Sequence, residues 1–316
     1  VGCTFIHSHG MSGGILYMGK LNYFWSIRTE FISGNAKETD GGAFVLYDIK
    51  YVFSNNCTFE NNTAMERGGC VFSTTVEFIK ITYGKFINNT SNFGGTLFLD
   101  QSESLIVYNC IFQGNKANHG ASMYARELKL VVTINTVFRL NIANRDGHCI
   151  SLINVDEIRN LGSQFINNTS ISRGSGGVNI RISQNVTIHG CVFIGNKGRI
   201  GGAVYVSTAV TLVFQHNVVV SNEASESIGG LGVEQANKVY VTYSQFQSNL
   251  VDGDISAIGF LMCQMIFLIH SSILSNIARS RGSVYVENFA TLTGISNRFI
   301  NNRNSGTVQL HEGQIY

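Results

Sequence analysis

The chain has 316 residues, a formal net charge of +2 and only 13% charged residues. Because charges are few and no basic cluster occurs, we expect no nucleic-acid partner and no anionic membrane partner. The longest apolar stretch, residues 258–269, is too short to span a bilayer. Proline is absent, which suits an architecture of paired strands, since each proline removes a hydrogen bond from a strand ladder.

A recurring asparagine predicts the fold. Its spacing is 26 to 28 residues, with Ser8 in the same place one repeat before the first: Asn35, Asn62, Asn89, Asn115, Asn141, Asn168, Asn196, Asn222, Asn249, Asn276 and Asn302. Such a period, sustained over a whole chain, indicates a solenoid. No linker or change of composition interrupts it, so we expect one continuous domain over residues 1–316. The chain opens and closes within a repeat, so we also expect a segment of a longer protein.

Within one repeat, the sequence predicts three short strands in order. In the repeat that starts at Cys191, they are residues 191–196, 201–206 and 210–214. Each run is β-branched and aromatic and is bounded by Gly, Asn, Ser or Thr, as strands of four to six residues are. Three strands and three turns form one triangular coil. The predicted fold class is therefore all-β, a single parallel β-helix of about 12 coils of 26–28 residues.

Three columns of equivalent residues should hold the coils together. The aromatic column fills the interior, with Ile32, Val219 and Ile273 as aliphatic substitutes: Phe5, Phe59, Phe86, Phe112, Phe138, Phe165, Phe193, Phe246 and Phe299. The asparagine amides should hydrogen-bond along the axis as a ladder. The residue before each Asn alternates among Gly, Asn and Ser, which predicts a left-handed backbone that is mildly strained at Leu140 and His7.

The seven cysteines indicate packing rather than cross-linking. Cys3, Cys57, Cys110 and Cys191 share one column, two residues before the aromatic position. They lie two or three coils apart, too far for a disulfide at roughly 4.8 Å per coil. We therefore expect buried thiols, and the absence of a CxxC pair gives no basis for a zinc site.

Variation in length is confined to one turn of the repeat. From a Gly-Gly pair to the next ladder Asn there are always 20–22 residues, whereas from that Asn to the next pair there are 4 to 8. Insertions therefore collect on one edge of the solenoid. Repeat proteins usually carry their binding function on such an edge.

Two motifs together resemble a known family. Eight repeats carry Phe-x-x-Asn, and most carry Gly-Gly before a small or aliphatic residue, as at Gly41, Gly68, Gly94, Gly176, Gly201 and Gly229. This pairing resembles the repeat of the polymorphic outer membrane proteins and is similar to repeats of large protist surface proteins. The resemblance implies a right-handed parallel β-helix used on the cell surface for adhesion, display or scaffolding. Neither a barrel nor a passenger cleavage region accompanies it.

The alternative is a polysaccharide-binding or polysaccharide-degrading, pectate-lyase-like β-helix. A degrading enzyme needs ionisable groups gathered from adjacent coils. The best candidate column precedes the Gly-Gly pairs and contains Asp40, Arg67, Phe93, His119, Asp146 and Ser175. Phe93 interrupts that column. Asp146-Gly-His148 is only distantly similar to the Gly-His-Gly of galacturonan hydrolases, because a facing pair of aspartates is missing. We therefore predict rim salt bridges there and no catalytic residues.

The sequence also gives little basis for a metal site. Asp252-Gly-Asp254 lies in a short loop and supplies too few oxygen ligands for calcium without a further carboxylate. His7 and His9 are the only close histidine pair. We expect no metal and no cofactor.

Sequons supply the remaining chemistry. Asn-x-Ser/Thr occurs at Asn56, Asn61, Asn88, Asn89, Asn167, Asn168 and Asn185. Because Asn89 and Asn168 belong to the predicted ladder, the candidate N-glycosylation sites are Asn61, Asn88 and Asn167 at an outward corner, followed by Asn56 and Asn185.

These observations favour a non-catalytic, extracellular or cell-surface rod with a structural or adhesive role. The expected partners are further coils of the same chain or end-to-end copies, which would build a fibre or filament. Glycans and cell-surface ligands complete the set of expected partners.

Overall fold

The computed structural model describes residues 1–145, 148–172, 174–255, 257–303, 308–311 and 313–315. Strands make up 62% of the described residues and wind into a right-handed parallel β-solenoid of about 11 turns. This confirms the predicted fold class. The described residues form no helix that is long and apolar enough to cross a membrane.

The strands stack into three parallel sheets, one for each side of the coil. The Phe sheet has twelve three-residue strands: Thr4–Ile6, Glu30–Ile32, Thr58–Glu60, Lys85–Ile87, Ile111–Gln113, Val137–Arg139, Gln164–Ile166, Val192–Ile194, Val218–Val220, Gln245–Gln247, Ser272–Leu274 and Arg298–Ile300. The short sheet has two-residue strands: His9–Gly10, Asn35–Ala36, Thr63–Ala64, Lys116–Ala117, Ile142–Ala143, Thr169–Ser170, Lys197–Gly198, Glu223–Ala224, Leu250–Val251 and Ile277–Ala278.

The long sheet differs from the three short strands that the sequence predicts. In five coils its strand is continuous over 12 residues: Leu16–Ile27, Phe44–Asn55, Val71–Thr82, Met123–Ile134 and Ile150–Leu161. In the others it divides in two: Leu97–Asp100 with Ser104–Tyr108, Val178–Arg181 with Ser183–His189, Val204–Val206 with Ala209–Gln215, Leu231–Glu234 with Ala236–Thr242, Ile258–Leu261 with Met265–Ile269, Val284–Glu287 with Thr291–Ile295, and Val308–His311 with Gln314–Ile315. A residue with positive φ, such as Glu127 (φ 57°), bends it.

The aromatic column lies inside the Phe sheet. From Phe31 to Phe193 the consecutive ring centroids are 4.6 to 4.9 Å apart and nearly parallel, so each ring covers the next at the strand spacing. The prediction of Ile32 in this column is wrong. Phe31 pairs in register with Phe5 and Phe59, and Ile32 is the following residue.

The asparagine ladder runs inside the adjacent corner from Asn62 to Asn302. Each Oδ1 accepts the backbone N–H and the side-chain Nδ2 of the preceding ladder residue, as Asn168 does from Asn141 at 3.1 and 2.9 Å. Each Nδ2 also donates to the backbone carbonyl of an aromatic-column residue on the preceding coil, as Asn168 does to Phe138 at 2.9 Å. The acceptor is the aliphatic substitute Val219 for Asn249 and Ile273 for Asn302. One amide thereby satisfies three polar groups that are buried from water.

Asn35 is a correction to the predicted ladder. It pairs in register with His9 and Thr63 in the short sheet. The ladder position of this coil is Gly34, whose backbone N–H donates to Asn62 Oδ1 at 2.8 Å. Since glycine has no side-chain amide, the ladder of side chains begins at Asn62.

The residue before the ladder is left-handed, as predicted. Positive φ occurs from His7 (φ 53°) through Leu140 (φ 56°) to Asn301 (φ 54°). In the second coil the left-handed residue is Ser33 rather than Gly34, as the shift of the ladder requires.

A second polar ladder lies at the position of the column cysteines, where the sequence predicts only buried thiols. Cys57, Cys110 and Cys191 are buried, while Cys3 is exposed. The equivalent residues of later coils are acceptors: Cys191 donates its backbone N–H to Asn217 Oδ1 at 2.8 Å, and Asn217 donates to Ser244 Oγ at 3.2 Å. Burial raises the pKa of the Cys191 thiol to about 12, which makes it a packing group rather than a nucleophile.

Truncating the aromatic column should destabilise the solenoid. Phe112→Ala, or Phe165→Ala, should lower the free energy of unfolding by about 3–5 kcal/mol, because the neighbouring rings cannot close the cavity. Urea denaturation followed by circular dichroism measures the loss. Tyr243→Ala, at a ring that is 52% exposed, is the control and should lose less. Parent-like unfolding of Phe112→Ala would show that the column is not interior.

Relieving the left-handed strain at Leu140 should stabilise the solenoid. Its side chain is 52% exposed, so little packing is lost, and asparagine tolerates positive φ better than leucine does. Leu140→Asn should therefore gain about 1 kcal/mol in the free energy of unfolding. Leu250→Asn, at an exposed strand residue outside the left-handed corners, is the matched control and should gain nothing. A loss at position 140 would contradict the assignment of strain.

Candidate functional site

The candidate catalytic column is occupied by contacts between coils. Arg67 donates Nε and Nη2 to the two carboxylate oxygens of Asp40 at 2.9 and 2.7 Å. One coil further on, the Phe93 and His119 rings stack with centroids 4.6 Å apart. Asp146 lies outside the described residues. The described members of the column are therefore engaged with one another.

Ser175 does not belong to that column. It pairs in register with Gly201, and so aligns with the first glycine of the Gly-Gly pairs. The sequence alignment misplaced it because Gly176-Gly177, like Gly229-Gly230, lies one residue later in the coil than Gly68-Gly69, Gly94-Gly95 and Gly201-Gly202. Its backbone and hydroxyl instead contact His148.

Several other charged side chains pair across neighbouring coils. Arg126 binds Asp100 through two nitrogens, at 2.7 and 2.6 Å. In the loop that was considered for calcium, Asp252 lies 3.3 Å from Arg279, and Asp254 accepts from Ser280 at 2.6 Å. Over the described ranges, no group of three or more His, Cys, Asp or Glu side chains is arranged to hold a metal ion.

One outward-facing column of the long sheet changes from aromatic to small polar residues in the middle of the solenoid. In register, it consists of Val45, Phe72, Phe98, Tyr124, Ser151, Asn179, Tyr205, Gly232, Gly259 and Tyr285. Phe72 and Phe98 form a buried apolar cluster at one end, and Ile228, Ile255 and Tyr285 form another at the opposite end. The two small polar residues between the clusters leave a recess beside the variable turn.

This recess is a groove of about 310 Å³. The Tyr205 ring lies over Gly232 along one side of the groove: a Cβ added to Gly232 would lie 2.7 Å from the Tyr205 ring, and the Tyr205 hydroxyl donates to Glu234 at 2.6 Å. Burial, together with that bond, raises the pKa of Tyr205. The lining includes His148, Ser175, Asn179, Arg181, Ile200 and Tyr205.

His148 is a neutral, buried histidine at the inner end of the groove. Its Nδ1 accepts the Ser175 backbone N–H at 2.8 Å, so the ring hydrogen of the neutral form is on Nε2. Burial lowers the pKa of His148 to about 3. The site therefore presents a neutral N–H donor rather than an acid or a cation at ordinary pH.

Two further polar side chains of the groove have unused hydrogen-bonding capacity. Asn179 is only 4% exposed, yet its amide bonds to none of the described residues. Arg181 is exposed and forms no ion pair within the described part of the chain. In the same column, Arg126 pairs with the carboxylate of Asp100 on the preceding coil. The residue that precedes Arg181 in register is Ile153, which has no carboxylate.

Sequence reasoning missed this groove. Its signal is the replacement of aromatic residues by Ser151 and Asn179 in a column that is otherwise largely apolar. That column becomes visible only when the register of the long sheet is known. His148 also occupies the position that glycine holds in most other coils, as the alignment of the neighbouring strands shows.

The five candidate glycosylation sites are all exposed: Asn56, Asn61, Asn88, Asn167 and Asn185. Asn61, Asn88 and Asn167 occupy the left-handed corner, Asn56 a second left-handed corner, and Asn185 an outer strand position. Asn89 and Asn168 are completely buried in the ladder.

Comparison with known proteins found no matching family model, no matching curated protein and no matching solved structure.

Acidification should destabilise the coil around His148. Its pKa is about 3 when folded and 6.5 in the reference state, so protonation favours the unfolded chain. Stability is then independent of this group above about pH 6.5 and falls as the pH drops toward 3, by about 3 kcal/mol between pH 7 and pH 4. Urea denaturation of the parent and of His148→Gln at both pH values isolates the effect. Equal pH dependence in the two proteins would contradict it.

Proposed function

We propose that this chain is a non-catalytic rod of the extracellular space or cell surface, with a structural or adhesive role. The observation that carries the proposal is the unbroken interior: the Asn ladder and the aromatic column connect every coil from Asn62 to Asn302. Each coil contacts only its neighbours, so length is gained by adding coils. Such an architecture suits spanning and display.

The arrangement of charge supports a structural role over catalysis. A lyase or hydrolase needs ionisable groups that are free to meet a substrate. The side chains of Asp40 and Arg67 instead form two hydrogen bonds with each other. The rings of Phe93 and His119 stack on each other. The Asp40–Arg67 pair is partly buried, with side-chain exposures of 9% and 35%, and its two charge-assisted hydrogen bonds fix the alignment of the two neighbouring coils.

The sequence motif supports the cell-surface location. Phe-x-x-Asn combined with Gly-Gly is similar to the repeat of polymorphic outer membrane proteins and of large protist surface proteins. In that setting the edge of variable loops is the adhesive face, and exposed asparagines carry glycans where the secretory pathway adds them.

Glycopeptide mapping of the native protein tests the secretory form of this proposal. We expect sugar among Asn61, Asn88, Asn167, Asn56 and Asn185, and none on Asn89 or Asn168. Asn61 and Asn88 lie one above the other on adjacent coils, about 4.8 Å apart, so one molecule should carry a glycan on only one of them. Sugar on Asn89 would contradict the buried ladder.

Labelling of intact cells tests the location itself. A membrane-impermeant amine reagent should modify exposed lysines such as Lys129 without permeabilisation, while a cytoplasmic protein of the same cells serves as the unlabelled control. Labelling that appears only after permeabilisation would contradict a surface location.

A further inference from the structure

We propose that the groove between Asn179 and Tyr205 binds one uronic acid unit of a glycan, with the sugar carboxylate on Arg181. This goes beyond the rod function and does not depend on it, because either can hold without the other. The ligand class follows from the charge, the unused hydrogen bonds and the size of the groove.

Arg181 supplies the charge. On the same outer column, Arg126 receives a carboxylate from the preceding coil and binds it through two nitrogens. The residue that precedes Arg181 in register is Ile153, so the protein column offers no carboxylate at this level. A guanidinium binds a planar carboxylate through two parallel hydrogen bonds, a geometry that a ligand carboxylate can complete.

Asn179 and His148 supply neutral hydrogen bonds. Asn179 as a whole is largely buried, but its amide opens on the groove that it lines and has no hydrogen-bond partner among the described residues. Its hydrogen bonds are therefore open to a ligand. It offers both a donor and an acceptor, which matches neighbouring hydroxyl groups on a sugar ring. The Nε2–H of neutral His148 adds a donor, and because Ser175 holds Nδ1, the donor is fixed in that tautomer.

The walls and the volume fit a single ring. Ile200 and Tyr205 give the groove an apolar side, against which the C–H face of a pyranose can pack. At about 310 Å³, the groove is at the lower end of small-molecule sites, which are roughly 300–1,000 Å³. It therefore receives one unit of a chain rather than enclosing an oligosaccharide.

Calorimetric titration of the 316-residue chain with sodium glucuronate and sodium galacturonate tests this inference, with glucose and galactose as neutral counterparts. We expect at least one uronate to bind, and to bind at least tenfold more tightly than its neutral counterpart. Arg181→Gln and Asn179→Ala should each weaken that binding at least tenfold. Arg159→Gln changes an exposed arginine of the same sheet that is already paired with Glu157, and should leave binding unchanged.

Several results would overturn the proposal. Failure of both uronates to bind the parent chain would exclude the site. Equal affinity for the neutral sugars would exclude recognition of the carboxylate. Competition by inorganic phosphate at the same concentration as the uronate would indicate a general anion site, and an equal loss in Arg159→Gln would place the binding elsewhere. Far-UV circular dichroism of each variant confirms that the solenoid is intact.

Discussion

The hydrogen bond between one ladder asparagine and the next is the interaction on which the rest of the solenoid depends. Each corner of a coil turns the backbone away from its neighbours and would leave buried N–H and C=O groups without partners. A single amide, such as that of Asn168, accepts from Asn141 and donates to the Phe138 carbonyl on the preceding coil, and also donates to Asn196 on the following coil. This requires a fixed separation between the aromatic residue and the asparagine. Length can therefore vary only in the turn that has no ladder.

Because the repeat is regular, most of the interior could be predicted from the sequence. The predictions that failed did so for local reasons. At Phe31 the chain reads Phe-Ile-Ser-Gly-Asn, so the asparagine stands one residue beyond the ladder, and a period counted on asparagines selects Ile32 and Asn35. Pairing in register restores Phe31 and Gly34, because buried aromatic stacking outweighs the identity of one corner residue. The second ladder was hidden for another reason: cysteine, threonine, serine and asparagine differ as letters but serve alike as acceptors.

The groove lay beyond sequence reasoning because it is a property of neighbouring coils rather than of any motif. Ser151 and Asn179 are unremarkable polar residues until the register places them between Tyr124 and Tyr205. The candidate catalytic column shows the converse error, since residues that looked suited to chemistry when aligned are satisfied by each other. Ionisable groups indicate a site only when their partners are known.

The uniformity of the ladder has an evolutionary consequence. Along the ladder, Oδ1 accepts from the preceding coil, and the backbone N–H and Nδ2 donate to the following coil. Because this pattern repeats, one junction between coils is chemically like the next. A gene duplication or deletion of one whole repeat would leave every remaining junction chemically equivalent, whereas an insertion of a single residue into the corner would not. The length of this rod is thus open to drift in steps of one coil, while the loops on its edge are free to diverge residue by residue.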